Sequence, residues 1–435
     1  MTGTATEADT DDTDTGSDAS DTDPSSTGEQ TTAGPTSDPA GTDSDSDSTD
    51  TDGTSDPTTD PSETTDTTTT DPSDTDPSDT DTDTDTTGEP SPWDGEPLPD
   101  APPGEWNYIE FPNAHCRSGS PAGIGVRYGT VDRLMIFFEG GGACFNGFTC
   151  LSNPGSYGAM SFNQWTPGGG HNGIFNPDEG DNPVADWHHI YVPYCTGDVH
   201  AGSNPNGNVN GKQEFVGYMN VAEFLDRIVP TFLGAVDHVL VTGQSAGGFG
   251  AAVNYDRIAD AFPGIGVTLV DDSGPPMADA YMAACLQNTW RELWGLSDTF
   301  PPECTECFPQ DGGGISELAK YIGAKHASQR LGLISASEDN VIRLFFGYGY
   351  TGFNDNNGCD TLIPTQQDPA FFEDGLYDLR DNVIGDAPTW GSFIINSQNH
   401  TWIGGGGFYD TEVNGVVLSD WVSDLIDGQA SHVAP

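Results

Sequence analysis

The segment Val239-Leu240-Val241-Thr242-Gly243-Gln244-Ser245-Ala246-Gly247-Gly248 joins a β-branched run to Gly-x-Ser-x-Gly, and a helix-like stretch follows from Phe249 to Phe262. This is the context of a nucleophile elbow, a tight strand-to-helix turn that holds a serine hydroxyl above a sheet beside the first amides of a helix. Glycines flank the serine because a Cβ there would clash in so tight a turn. A serine presented this way performs nucleophilic acyl transfer. The reaction also needs backbone donors for the oxyanion, a base for the hydroxyl proton, and a group to orient that base.

Each requirement has a candidate. Upstream, the apolar run Arg133-Leu134-Met135-Ile136-Phe137-Phe138-Glu139 leads into Gly140-Gly141-Gly142-Ala143-Cys144. Consecutive glycines after an early strand let main-chain N–H groups approach a developing oxyanion closely. Downstream, Leu331-Gly332-Leu333-Ile334-Ser335-Ala336 ends in Ser337-Glu338-Asp339, and Ser392-Phe393-Ile394-Ile395-Asn396 leads to His400. Serine, acid, histidine is the chain order of α/β-hydrolases. His400 is the expected base, taking the Ser245 proton and returning it to the leaving alcohol. Asp339 is the expected orienting acid, with Glu338 as its nearest rival and Asp271, Asp272 and Asp360 behind. His188 and His189 precede an apolar run and read as the start of a strand, and His432 falls in a frayed C-terminus.

These side chains need a scaffold that brings distant loops to one edge. Apolar runs recur at 132–138, 189–194, 237–242, 266–270, 331–336 and 393–396, with helical patterns such as 221–229 between some of them. Alternating β and α segments predict an α/β fold of the α/β-hydrolase kind, a mainly parallel sheet covered by helices on both faces. Residues 145–185 are rich in Gly, Asn and Pro and read as long loops at the site's mouth. No repeat is visible in this body.

The set of boxes resembles the pectin acetylesterase family. Glu139 to Asn146 reads Glu-Gly-Gly-x-x-Cys-Phe-Asn, and Gly243 to Gly248 reads Gly-x-Ser-Ala-Gly-Gly. Cys116 to Gly123, Tyr194-Cys195-Thr196-Gly197-Asp198 and Asp272-Ser273-Gly274 add further matches, so the resemblance runs from about 107 to 405. It implies a serine esterase with Ser245, Asp339 and His400 as triad and Gly141, Gly142 and Ala246 as oxyanion donors. No cofactor or metal is implied. Gln244 departs from the Cys or Thr expected before the serine. Gly142-Ala143 is less bulky than the aromatic pair of the family's animal carboxylesterases.

Composition frames the rest. Residues 1–92 contain no Lys, Arg, Phe, Trp, Tyr, Ile, Leu or Val. Such a segment cannot bury enough apolar surface to offset its ordering entropy, so residues 1–95 are expected to be a disordered acidic tail ahead of an esterase domain at 96–435. The tail reads as a solvated stalk rather than a calcium site, since it lacks a Gly-centred loop closed by a bidentate Glu. Of the 69 acids, 27 lie in residues 1–90, which leaves 42 against 12 bases in the body. This balance excludes nucleic acid as a partner, because phosphate contacts need clustered Lys and Arg. It also disfavours a polyanion, so the expected substrate is an O-acetyl ester of a neutral polysaccharide rather than of polygalacturonate.

Eight cysteines, an even set, favour disulfides, with Cys144–Cys150 the expected bridge beside the oxyanion glycines. Cys304-x-x-Cys307 lacks the second pair that a zinc site requires. No apolar run approaches the roughly 20 residues of a spanning helix. The expectation is therefore a secreted or surface-tethered monomer from which a targeting segment has been removed. Two other functions compete with polysaccharide deacetylation. One is a lipid or polyester hydrolase on the same triad, since the family includes carboxylesterases that accept fatty acyl chains. The other is an inactive surface-binding module.

Overall fold

The computed structural model describes residues 92–352, 358–385 and 387–435. The expectations for residues 1–91 therefore lie outside the described residues. Nine strands form the main sheet: β1 (Trp106–His115), β2 (Pro121–Arg127), β3 (Arg133–Phe138), β4 (His188–Val192), β5 (His238–Gln244), β6 (Gly266–Asp272), β7 (Arg330–Ala336), β8 (Trp390–Ile395) and β9 (His432–Val433). Their spatial order is β1-β2-β4-β3-β5-β6-β7-β8-β9. From β4 to β9 every pairing is parallel, and β2 pairs antiparallel with both β1 and β4.

Residues alternate between faces along a strand, so a strand buried on both sides feeds two cores. Leu134, Ile136 and Phe138 of β3 enter one core with Val239 and Val241 of β5. Met135, Phe137 and Leu240 enter the other. Helices α1 (Gly217–Phe232) and α2 (Ala246–Ala261) cover the first face, through Phe224, Leu225 and Ile228 of α1 and Tyr255 and Ile258 of α2. Helix α3 (Leu418–Ile426) covers the second with Leu418, Trp421, Val422 and Leu425. This is the α/β-hydrolase arrangement.

All six apolar runs are strands. His188 opens β4 as expected, and His189 is buried there beside Arg127. His432 corrects the reading of a frayed end: it lies in β9, with Nδ1 3.0 Å from Ser392 Oγ. Residues 145–185 are irregular apart from one helix (Ala159–Trp165) and short 3-10 turns. All eight cysteines pair, as 116–195, 144–150, 285–359 and 304–307, so the expected Cys144–Cys150 bridge is present. Among the described residues, no helix is long and apolar enough to cross a membrane.

Candidate active site

Parallel strands end at one edge, so the loops following β3, β5, β6, β7 and β8 meet there. Ser245 occupies the turn between β5 and α2 with φ 58° and ψ −125°, a strained conformation for a residue with a Cβ. The turn closes only because its neighbours lack side chains. A Cβ on Gly247 would lie 1.9 Å from the carbonyl oxygen of Phe138, and one on Gly243 would lie 2.2 Å from that of Gly247. The N–H of Ser245 donates to the Asp272 carbonyl at 2.7 Å, which fixes the elbow to the end of β6. Ala246 is the first helical residue, and its N–H is among the first-turn donors that a helix leaves unpaired.

The glycine loop after β3 passes directly over this turn, since a Cβ on Gly140 would lie 3.0 Å from Ser245 Cβ. Side chains hold the loop by its carbonyls. His200 Nε2 lies 2.8 Å from the Glu139 oxygen, Asn153 Nδ2 donates to the Gly141 oxygen at 2.7 Å, and Tyr194 Oη donates to the Gly142 oxygen at 2.8 Å. In a trans peptide the C=O and N–H point opposite ways. Tying down these carbonyls therefore turns the amides of Gly140, Gly142 and Ala143 to the other side, and none of the amides of residues 140–143 donates within the described structure. The flanks are fixed too, by Glu139 N–H to the Val192 oxygen at 3.0 Å and Cys144 N–H to the Gly197 oxygen at 2.7 Å. Sequence reasoning gave this role to neither residue: Asn153 was not singled out, and Tyr194 entered only within the Tyr194–Asp198 box.

Asp339 is fully buried in the loop after β7. Its Oδ1 accepts from the amides of Val341 and Ile342 at 2.8 and 2.9 Å, and its Oδ2 lies 2.7 Å from His400 Nδ1. One oxygen thus anchors the carboxylate and the other orients the imidazole. His400 Nε2 is buried and makes no hydrogen bond to a described residue, so the structure brings acid and histidine together but does not join histidine to the Ser245 hydroxyl. Loose serine–base contacts are common before substrate binds. None of the rival acids hydrogen-bonds to His400. Glu338 accepts from Gln398 Nε2 at 2.7 Å, Asp360 is exposed beside the 285–359 bridge, and Asp271 is buried away from any histidine contact. Asp272 is the unexpected one. Its Oδ2 accepts from the amides of Trp402 and Ile403 at 2.7 and 2.9 Å, and burial pushes its carboxyl up to about 6.

Glu139 accepts from the Tyr194 amide at 2.8 Å, and burial pushes its carboxyl up to about 7. A folded carboxyl that holds its proton above the unfolded pKa loses stability as pH rises between the two values. Relative to wild type, Glu139→Gln should therefore gain stability from about pH 4.5 to 7. The gain has an upper bound of about 3 kcal/mol, because the residue still reaches solvent in part. Denaturant midpoints of both proteins at pH 5 and pH 7.5 check this, and a constant difference would contradict it.

Asp256, Asp260 and His326 bring three potential metal-binding atoms within 4.8 Å of one another. Lys325 Nζ already lies 2.7 and 2.8 Å from the two carboxylates, so an ammonium supplies the positive charge there.

Comparison with known proteins bears on the fold and the family. Residues 107–311 match the pectinacetylesterase family, a span that includes the glycine loop and the elbow but stops before Asp339 and His400. The chain is 29% identical over 218 residues to the palmitoleoyl-protein carboxylesterase NOTUM of Drosophila melanogaster, across 45% of this chain and 32% of that one. It is 31% identical over 169 residues to the Homo sapiens NOTUM, across 37% of this chain and 34% of that one. For notum1a of Danio rerio the figures are 28% over 282 residues, 62% of this chain and 50% of that one. The chain thus spans a third to a half of the length of these relatives. A crystal structure of the Wnt deacylase Notum from Drosophila superposes with a TM-score of 0.53 at 20% identity, covering 74% of this chain and 94% of that one. The fold is therefore that of an α/β-hydrolase, and residues 107–311 are similar to the pectinacetylesterase family.

Proposed function

We propose that this protein is a serine carboxylesterase. The observation that carries the reading is the convergence at one sheet edge of a strained Ser245, a loop of unengaged amides, and a buried Asp339 paired with His400. Ser245 Oγ attacks the ester carbonyl while His400 Nε2 takes its proton. The tetrahedral oxyanion is received by amides of the 140–143 loop and Ala246, with Gly141 and Gly142 as the family resemblance implies. His400 then protonates the leaving alcohol, and water activated by the same nitrogen releases the acid. Asp339 holds the tautomer and stabilises the imidazolium.

The acyl group is the point on which the structure changes the emphasis. A cavity of about 60 Å³, lined only by apolar side chains, is walled in part by chain neighbours of the site residues. Its walls include Ala143 next to Gly142, Phe249 one turn after Ser245, and Ile342 and Phe345 shortly after Asp339. An acetyl group needs no such space, so we assign the cavity to an acyl chain longer than acetyl. The relatives named as palmitoleoyl-protein carboxylesterases favour the same reading. Deacetylation of a neutral polysaccharide is the second reading, favoured by the pectinacetylesterase match and by the excess of acids, which repels polyanions. Four disulfides fit an oxidising, extracellular setting, with residues 1–95 as a spacer ahead of a catalytic domain at 96–435.

A p-nitrophenyl ester series separates the two. Octanoate should exceed acetate in kcat/KM, and Ala143→Phe, which narrows the cavity, should lower octanoate turnover about tenfold or more while acetate changes less than about threefold. A preference for acetate in wild type, together with acetate release from acetylated xylan, would establish the second reading instead.

A further inference from the structure

The Asp272-Ser273 dipeptide at the end of β6 touches both halves of the proposed machinery, and the mechanism above gives it no part. Its main chain holds the nucleophile, since the Asp272 carbonyl accepts from Ser245 N–H at 2.7 Å. Its side chains hold the histidine loop: Asp272 Oδ2 accepts from the amides of Trp402 and Ile403, and Ser273 Oγ accepts from the amide of Thr401 at 3.3 Å. The clasp is itself braced. Ser273 Oγ donates to Asp272 Oδ1 at 2.9 Å, and Ser273 N–H donates to the Ile334 carbonyl of β7, the strand that leads to Asp339.

Both ends of this clasp carry strain. Ser273 has φ 67° and Thr401, immediately after His400, has φ 66°. Non-glycine residues in that region are strained and persist only where their surroundings over-determine them. Thr401 is determined by the clasp, because the three successive amides from Thr401 to Ile403 all point at Ser273 Oγ or Asp272 Oδ2. Their direction sets where the His400 side chain departs from the main chain. Asp339 fixes the ring at Nδ1, but ring orientation alone does not fix the distance of Nε2 from the elbow.

We propose that Asp272 is a positioning residue for the esterase reaction, holding the His400 loop at a fixed distance from Ser245. The proposal rests on the serine carboxylesterase reading. A misplacement of about 1 Å at a reacting pair costs on the order of 10² in rate, and the loss should appear in kcat, since Asp272 is fully buried beneath the loop and touches no substrate.

The test compares wild type with Asp272→Ala, Asp272→Asn and Ser273→Ala. It measures kcat and KM on p-nitrophenyl octanoate, the rate of Ser245 modification by a fluorophosphonate, and the circular-dichroism melting curve. Asp272→Ala should lower kcat and the modification rate together by about 10² with KM within about threefold. Asp272→Asn keeps one carbonyl oxygen for the Trp402 and Ile403 amides and an N–H₂ for Ser273 Oγ, so it should recover kcat to within about tenfold of wild type. Folded Asp272→Ala with wild-type kcat would overturn the proposal, and so would an Asn variant as slow as the Ala variant. If Asp272→Ala does not fold, Ser273→Ala decides, since it removes only the Thr401 tie. A fall in its kcat of several-fold at unchanged KM supports the clasp, and an unchanged kcat overturns it. Failure of the esterase reading looks different, because wild type itself would then show no Ser245-dependent turnover.

Discussion

Replacing Ser245 with alanine should lower ester turnover by about 10⁶ in kcat with KM little changed, by analogy with loss of the nucleophile in subtilisin. The size follows from the acyl-enzyme route. Without Oγ no covalent intermediate forms, and His400 has no hydroxyl to deprotonate. What remains is the oxyanion loop and substrate binding, which alone leave about 10³–10⁴ over the reaction in water. The variant should fold, because the elbow is shaped by its backbone contacts and by the close approach of Gly243 and Gly247 to β3, and not by the hydroxyl. Alanine has to adopt the same positive φ, at no greater cost than serine does. Steady-state kinetics on the octanoate ester, with melting curves to confirm the fold, measure this. Turnover within tenfold of wild type would remove Ser245 from the mechanism.

Asp339→Asn should cost about 10⁴ in kcat, the loss seen when the triad aspartate of a serine protease is made an amide. The amide can still accept from Val341 and Ile342 through one oxygen, as Asp339 does through Oδ1. The other side then presents N–H₂ to His400 Nδ1, where the carboxylate presented an acceptor. The imidazole is driven to the tautomer that carries its proton on Nε2, and a protonated Nε2 cannot take the proton of Ser245. The imidazolium formed during turnover also loses its counter-charge. Glu338→Gln is the control, since Glu338 meets Gln398 and not His400, and its kcat should stay within about threefold. If Glu338→Gln proved the more damaging change, the acid would have been assigned wrongly.

Much of the site was legible because its parts lie at strand ends. Five of the strand-forming runs carry the proposed participants or the loops beside them, and each run is mostly apolar because it is buried on both faces. Ser245 was marked by its glycines, and those glycines prove to be required by contacts of 2.2 Å or less. β1 and β2 were not legible. β1 is half exposed and irregular around Pro112, and β2 is diluted by Gly123 and Gly125, which face Tyr108 and Phe162 closely. Asp272 was weighed as a rival acid, because a carboxylate at a strand end near a serine looks the same in sequence whether it meets a histidine ring or the amides of the histidine's loop. Only the fold, which sets β6 between the elbow strand and the strand of Asp339, distinguishes them. Asn153 and Tyr194 act through carbonyls of a glycine loop, and such contacts leave no spacing to read.

The most direct test of the account is to expose the folded wild-type protein to a fluorophosphonate and locate the adduct by intact-mass and peptide mass spectrometry. A single adduct on Ser245, absent in Ser245→Ala and formed more slowly when octanoate ester competes, is the result predicted for an activated serine with an acyl site beside it. A folded protein that takes up no label, or takes it up at another residue, would contradict the assignment of Ser245 as nucleophile and with it the esterase mechanism.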